Sequence, residues 1–178
     1  MNAALLVIDM QRALCTGEEA AAGIDQVLAR INTVAAQARA AGVPIVFVQH
    51  EEQEGSLAHG SEGWQLADGL DVQPGDRRMR KRTPDSFHGT QLQGLLQELG
   101  VRQLVVCGLQ SDFCIDTTVR RALALGYPVT LVADAHSTID NGVLTAAQIT
   151  AHHNRTLSCM SSFGPRAEVV PAAAIALR

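Results

Sequence analysis

Residues 103–125 read QLVVCGLQSDFCIDTTVRRALAL and join a buried-strand pattern to a helix pattern. The residues from Leu104 to Cys107 form an unbroken apolar run, which is typical of a strand whose sheet is covered on both faces. From Ile115 onward the apolar residues recur at helical spacing instead. The polar link at 108–113 is therefore predicted to be a strand-to-helix turn, with Cys114 at the mouth of the helix.

Cys114 is the residue of this turn that could carry chemistry. A thiol at a helix N-terminus meets unsatisfied backbone N–H groups and the positive end of the helix dipole, both of which favour the thiolate. The position predicts a nucleophile with a pKa below the free-thiol value of about 8.5. A cysteine that only fills space is the alternative. The other three cysteines, Cys15, Cys107 and Cys159, are interpreted as inert.

Length and composition indicate a globular protein with one domain over residues 1–178. A formal net charge of -4 gives no general attraction to nucleic acid or to an anionic membrane, so neither is an expected partner. The cysteines are too widely spaced for a disulfide framework or a structural zinc site. The apolar run at 3–8 ends at Asp9 and is too short for a signal core or a membrane span, which predicts a cytoplasmic location.

Six segments have strand patterns, and most of them are separated by helix patterns. The predicted strands lie at 3–8, 45–48, 76–81, 104–107, 129–132 and 168–170. Thr90 with Gln93, and Thr145 with Gln148, have capping-box spacing and predict two helix starts. Such alternation favours an α/β fold, in which a mainly parallel sheet is covered by helices on both faces.

Three chemically distinct side chains fall at the ends of these strands. In open parallel sheets, sites form outside the carboxyl ends of the strands. Asp9 ends the first strand, Lys81 ends the third, and Cys114 follows the fourth, so we expect all three at the same edge. Asp9 could accept the thiol proton, Lys81 could hold a thiolate, and backbone N–H groups of the turn could bind an oxyanion.

Four motifs carry a resemblance to a known family. They are ALLVIDMQ (4–11), KRTPDSFHGT (81–90), GLQSDFCIDTT (108–118) and VADAHST (132–138). The chain resembles the isochorismatase-like cysteine hydrolase superfamily, which includes nicotinamidases and N-carbamoylsarcosine amidases. The resemblance implies a three-layer α/β/α fold with a six-stranded, mostly parallel sheet, in a Rossmann-like order.

The same resemblance implies the chemistry and the assembly of the protein. The triad would be Asp9, Lys81 and Cys114, acting through a thioester-type intermediate. A non-proline cis peptide would lie at Leu109-Gln110 and would direct the Gln110 N–H, together with that of Cys114, into an oxyanion hole. Relatives of this kind are usually homo-oligomers, so a dimer or tetramer is expected.

The segment after the second strand departs from the nicotinamidase pattern. Nicotinamidases bind a metal through an Asp-x-His pair there, whereas this chain has Gln49-His50-Glu51-Glu52. We therefore predict no catalytic metal and no cofactor. Isochorismatases that cleave a vinyl ether lack the cysteine nucleophile, so the presence of Cys114 favours C–N hydrolysis.

Several further residues are candidates for contact with a small amide-type substrate. Each has an alternative as a solvated or packing residue. The candidates are Gln11, His50, Trp64, Phe87, Phe113 and His136. Pocket walls are also expected from the irregular segment 51–75.

Four functions remain open at this point. The leading one is hydrolysis of a C–N bond in a small amide, carbamoyl or ureido compound, with release of ammonia or an amine. The others are vinyl-ether hydrolysis, a non-catalytic binding module that retains the triad, and a redox protein with Cys114 as its sensor thiol. A redox thiol would need a resolving cysteine nearby, and the buried Cys107 is poorly placed for that role.

Overall fold

The computed structural model describes residues 2–177 and contains one six-stranded sheet in the order β3-β2-β1-β4-β5-β6. All five strand pairs are parallel. The predicted α/β class and parallel sheet are therefore confirmed. The strands are β1 (Ala3–Ile8), β2 (Ile45–His50), β3 (Arg77–Lys81), β4 (Gln103–Leu109), β5 (Val129–Ser137) and β6 (Ala167–Val170).

Helices lie on both faces of this sheet. They are α1 (Arg12–Cys15), α2 (Ile24–Ala40), α3 (Leu92–Glu98), α4 (Asp116–Ala124) and α5 (Ala146–Ser158). A π-helical turn (Ser111–Ile115) precedes α4, and a short 3₁₀ turn (Ala172–Ala174) follows β6. Within 2–177, no helix combines the length and the apolar character needed to cross a bilayer.

Residues of β1 alternate between two hydrophobic cores, as the period of two in a strand requires. Leu5 and Val7 pack in the core that contains Ile31 of α2. Leu6 and Ile8 point to the opposite face and pack in the core that contains the apolar residues of α3 and α4. Because both faces are covered, β1 is buried along its whole length, which explains its uniformly apolar sequence.

Two local predictions fail and one is confirmed. The predicted capping box of Thr90 and Gln93 does not form, since Gln91 is the N-cap residue of α3 and makes no side-chain cap bond. The Thr90 hydroxyl instead accepts from the Leu92 N–H at 3.2 Å and donates to the Ser86 carbonyl. Strand β5 continues to Ser137, five residues beyond its predicted end at 132. The capping box of Thr145 and Gln148 is present at the start of α5.

Gly108 allows β1 and β4 to approach closely next to the site. It pairs with Ile8 in the parallel ladder and has a φ of 116°. A Cβ atom at this position would overlap the carbonyl oxygen of Ile8. Only glycine satisfies both conditions, because it has no Cβ and tolerates positive φ.

Candidate active site

Asp9, Lys81 and Cys114 meet at the carboxyl edge of the sheet. Asp9 follows β1 directly, Lys81 is the last residue of β3, and Cys114 lies in the turn after β4. The Lys81 ammonium donates to Asp9 Oδ2 at 2.7 Å and to Cys114 Sγ at 3.1 Å. Asp9 and Lys81 are almost fully buried, with 1% and 2% of their surface exposed. One buried ammonium therefore bridges a carboxylate and a thiol.

The sheet order explains why a lysine occupies this position. Strand β2 lies between β3 and β1. Since neighbouring strands are about 4.8 Å apart, a side chain on β3 must cross roughly 10 Å to reach the end of β1. The four-carbon stem of Lys81 covers most of this distance, and the hydrogen bond and the Asp9 side chain cover the rest. The Lys81 Nζ lies 3.4 Å from Nδ1 of His50, the last residue of β2. A shorter side chain at 81 would not reach Asp9.

Asp9 adopts an unusual backbone conformation that fixes the carboxylate. It is the one non-glycine residue with positive φ, at 52°, in the described part of the chain. The Asp9 N–H donates to the Val48 carbonyl, and its own carbonyl accepts from the Gln11 N–H, each at 2.8 Å. Such left-handed conformations of non-glycine residues concentrate at functional sites. Asp9 Oδ1 is buried and has no hydrogen-bond partner among residues 2–177, so a lone pair remains for proton transfer.

The predicted low pKa of Cys114 is wrong for this site at rest. Burial raises the pKa of the Cys114 thiol to about 12, the negative Asp9 carboxylate adds to the rise, and Lys81 only partly opposes them. Cys114 is also the fourth residue of the five-residue π-helical turn and does not precede the first helical turn. Near neutral pH the resting site therefore holds a protonated thiol beside a lysine–aspartate ion pair.

A cavity of about 280 Å³ opens beside the thiol. His50 and Phe113, both predicted from the sequence, border it. Leu14, Leu57 and Pro84 border it too, although no sequence pattern marks them individually, because they lie in irregular segments and a short helix. The complete lining is Asp9, Leu14, His50, Glu52, Leu57, Pro84, Gln110, Phe113 and Cys114.

Comparison with known proteins identifies the family of this chain. The model of the Isochorismatase domain matches residues 3–162. The chain belongs to the isochorismatase family. It is 38% identical over 177 residues to streptothricin hydrolase of Streptomyces noursei, covering 96% of this chain and 63% of that protein. The chain therefore spans somewhat less than two thirds of that relative.

Two more isochorismatase-family matches cover most of both partners. Ureidoacrylate amidohydrolase of Pseudomonas syringae pv. syringae is 32% identical over 169 residues, covering 74% of this chain and 69% of that one. The crystal structure of an isochorismatase family protein is 40% identical and superposes with a TM-score of 0.87, covering 95% and 98% of the two chains. The family resemblance inferred from the four motifs is confirmed.

Gln11 and Trp64 do not border the cavity, contrary to the sequence-based expectation. Gln11 is fully buried, and its amide donates to the carbonyls of His50 and Trp64 at 2.9 and 3.0 Å. Its Oε1 accepts from the His50 N–H at 2.8 Å. Trp64 contributes this backbone carbonyl, while its ring packs edge-on against His59. The two residues tie the segment 51–75 to the end of β2, and so support the cavity wall.

Phe87 and His136, the other two predicted substrate contacts, do not border the cavity either. Phe87 is buried and stacks on Tyr127 at 6.2 Å between ring centroids. His136 lies within β5, and burial lowers its pKa to about 4, so it stays neutral. Its Nδ1 is 2.8 Å from the hydroxyl of Ser111, the first residue of the turn that carries Cys114. His136 therefore anchors the turn from behind and does not border the cavity.

The turn has the backbone form that the resemblance implied for this isochorismatase-family chain. The Leu109-Gln110 peptide bond is cis. Gln110 and Cys114, whose N–H groups are the candidate oxyanion donors, both border the cavity. Residues 2–177 contain no group of three or more His, Cys, Asp or Glu side chains arranged to hold a metal ion.

Proposed function

We propose that this isochorismatase-family protein is a cysteine hydrolase that cleaves a C–N bond of a small amide, carbamoyl or ureido compound. The observation that carries the proposal is the Lys81 ammonium, which lies within hydrogen-bonding distance of both Asp9 and Cys114 beside a cavity. In this trio the thiol can act as the nucleophile, the carboxylate as its base, and the ammonium can stabilise the thiolate that forms. The family membership and the amidohydrolase among the relatives support C–N cleavage in particular.

In the first step, the Cys114 proton passes to the Asp9 carboxylate as the sulfur attacks the carbonyl carbon. The C–S bond forms while the π electrons of the carbonyl move onto its oxygen. The N–H groups of Gln110 and Cys114 are the proposed donors to that oxyanion. Because the resting pKa of the thiol is about 12, deprotonation accompanies the attack and does not precede substrate binding.

Collapse of the tetrahedral intermediate restores the carbonyl and breaks the C–N bond. The proton held by Asp9 passes to the departing nitrogen, which leaves as ammonia or an amine, and the acyl group remains on sulfur as a thioester. Asp9 then takes a proton from water as the water oxygen attacks the thioester. The C–S bond breaks, the acid departs, and the proton from Asp9 returns to Cys114.

Lys81 keeps its charge through this cycle. Burial by itself lowers the pKa of Lys81. The Asp9 carboxylate and the Cys114 sulfur raise this pKa by more, so that it lies above its ordinary value. The ammonium offsets the desolvation of the buried carboxylate, since a buried charge is tolerated only when it is paired. It also lies where it stabilises the negative sulfur that forms during attack.

The proposal is tested by incubating the protein with a panel of small amides, carbamoyl compounds and ureido compounds. Ammonia release is measured, and mass spectrometry of the rapidly quenched protein detects the acyl group. We expect turnover of at least one compound and an acyl adduct on the peptide that contains Cys114. Turnover of a vinyl ether such as isochorismate, without activity on any amide, would support the competing function instead.

Removal of metal ions is expected to leave this activity unchanged. The triad contains all the acid, base and nucleophile groups of the proposed reaction, and none of its steps needs a Lewis acid. Dialysis against a chelator, followed by the ammonia assay on the best substrate of the panel, measures the effect. Lost activity that zinc or iron restores would contradict the prediction.

A further inference from the structure

Two adjacent glutamates after β2 differ sharply in their surroundings. Glu51 is buried, and its carboxylate contacts Arg82 at 2.8 Å and Arg80 at 3.3 Å. Glu52 borders the cavity, and 54% of its side chain is exposed. Among the residues described, no lysine or arginine lies within ion-pair distance of Glu52. The arginines of this region therefore neutralise Glu51 and leave the charge of Glu52 unpaired.

The other charged and ionisable groups at the cavity do not offset Glu52. Lys81 and Asp9 cancel each other as an ion pair. His50 Nε2 is 3.9 Å from Glu52 Oε1, too far for a hydrogen bond. Burial, together with the positive charge of Lys81, lowers the pKa of His50, so its ring is neutral near neutral pH. The cavity as a whole carries one net negative charge, located on Glu52.

Glu52 is held in place by its backbone. Its N–H donates to the Leu57 carbonyl at 3.0 Å, and Glu52 also forms a parallel bridge with Ala58. The loop between these residues therefore closes on itself at the cavity rim. Because the backbone is anchored, only the side-chain rotamers of Glu52 have to be ordered when the carboxylate pairs with a ligand. Leu14, Leu57 and Pro84 supply an apolar wall in the same cavity.

We propose that the preferred substrate is an amide whose side chain ends in an ammonium or another cationic group, with Glu52 as its counter-ion. The inference rests on the proposed function, because the amide end is assigned to Cys114. The apolar wall would contact the methylene groups between the two ends. An amide whose other end is a carboxylate would be repelled by Glu52, and a neutral amide would lack the ion pair.

Binding can be measured without turnover, by protection of Cys114 from iodoacetamide. The cationic probes are γ-aminobutyramide, δ-aminovaleramide and ε-aminocaproamide, which vary the spacing of the two ends. Their neutral and anionic counterparts are caproamide, ε-hydroxycaproamide and adipamic acid. The assay is run in a mildly alkaline buffer, in which a primary amine remains protonated, and labelling of Cys114 is followed by mass spectrometry. The matched variants are Glu52→Gln and, as control, Glu54→Gln, an exposed acid outside the cavity lining.

We expect at least one aminoamide to protect at about fivefold lower concentration than the neutral amides, with adipamic acid weakest. Glu52→Gln should abolish these differences in protecting concentration, and Glu54→Gln should retain them. High salt should reduce them. Equal protection by amine and alcohol, an order that survives Glu52→Gln, or no protection by any aminoamide would overturn the inference. Protection in this order without ammonia release from any amide would retain the cationic site and refute the hydrolase proposal.

Discussion

Replacing Cys114 with alanine is expected to lower kcat/KM for C–N hydrolysis by at least about 10³-fold, because no other group at the cavity can form the covalent intermediate. Lys81 and Asp9 would remain paired at 2.7 Å, and the fold should persist. Ammonia release from the best substrate of the panel measures the loss. Thermal unfolding of the variant shows whether the protein is intact.

Cys159→Ala is the matched control for this experiment. Cys159 is an exposed cysteine at the end of α5 and is not part of the cavity lining, so the same substitution there should leave turnover unchanged. A Cys114→Ala protein that released ammonia at the native rate would refute the nucleophile assignment. Equal loss in both variants would point to a general effect of removing a thiol and not to catalysis.

Replacing Asp9 with asparagine is expected to change two rates in opposite directions. Hydrolysis should fall by about 10²–10⁴-fold, since the general acid and base is lost. Alkylation of Cys114 by iodoacetamide should accelerate, because the negative carboxylate is one of the causes that raise the pKa of the thiol, whereas Lys81 lowers it. Each unit by which the pKa falls raises the thiolate fraction roughly tenfold at a pH below the pKa.

The two rates are measured on the same preparations, across neutral and alkaline pH. In the native protein, labelling of Cys114 should be slow near neutrality and should rise toward strongly alkaline pH, as expected for a thiol with a pKa of about 12. Asp68→Asn removes an exposed carboxylate that pairs with Arg12 and serves as the control for charge loss elsewhere. Slower labelling in Asp9→Asn would show that Asp9 does not repel the thiolate.

The meeting of the three groups follows from a rule that needs no coordinates. Parallel strands end at a common edge, so residues that end strands in the sequence become neighbours in space. Asp9 could be placed by this rule because its strand is an apolar run that ends at a carboxylate. The strand before Lys81 is mostly arginine, so its pattern indicated a strand only weakly, and the resemblance of the motif at 81–90 supplied the rest. Cys114 could be placed because the change from strand to helix spacing marks the turn.

The protonation state of the thiol could not be predicted in the same way. A helix terminus contributes about 0.3–1 kcal/mol toward a nearby charge, whereas burial can shift a pKa by several units. Burial depends on how the turn packs against α5 and β5, which no local pattern records. The sequence correctly indicated a helix start near Cys114 but gave no measure of the competing desolvation.

The walls of the cavity were the least predictable part of the site. Leu57 and Pro84 belong to irregular segments, whose paths are set by tertiary hydrogen bonds such as those from Gln11. Gln11 is polar and so belongs to no apolar repeat that would mark it as buried. Next to a predicted base, such a residue could bind substrate or could hold the backbone in place. Its role becomes clear only when its partners prove to be backbone groups.

The close approach of β1 and β4 at Gly108 limits how this site can be redesigned or can diverge. A side chain there would push the base and the nucleophile apart, so their separation is a property of the sheet that point mutations at 108 cannot tune. Changes of specificity are confined to positions that the sheet does not constrain, above all Leu14, Glu52 and Leu57. A mutant library aimed at new substrates should therefore randomise those positions and keep Gly108 fixed.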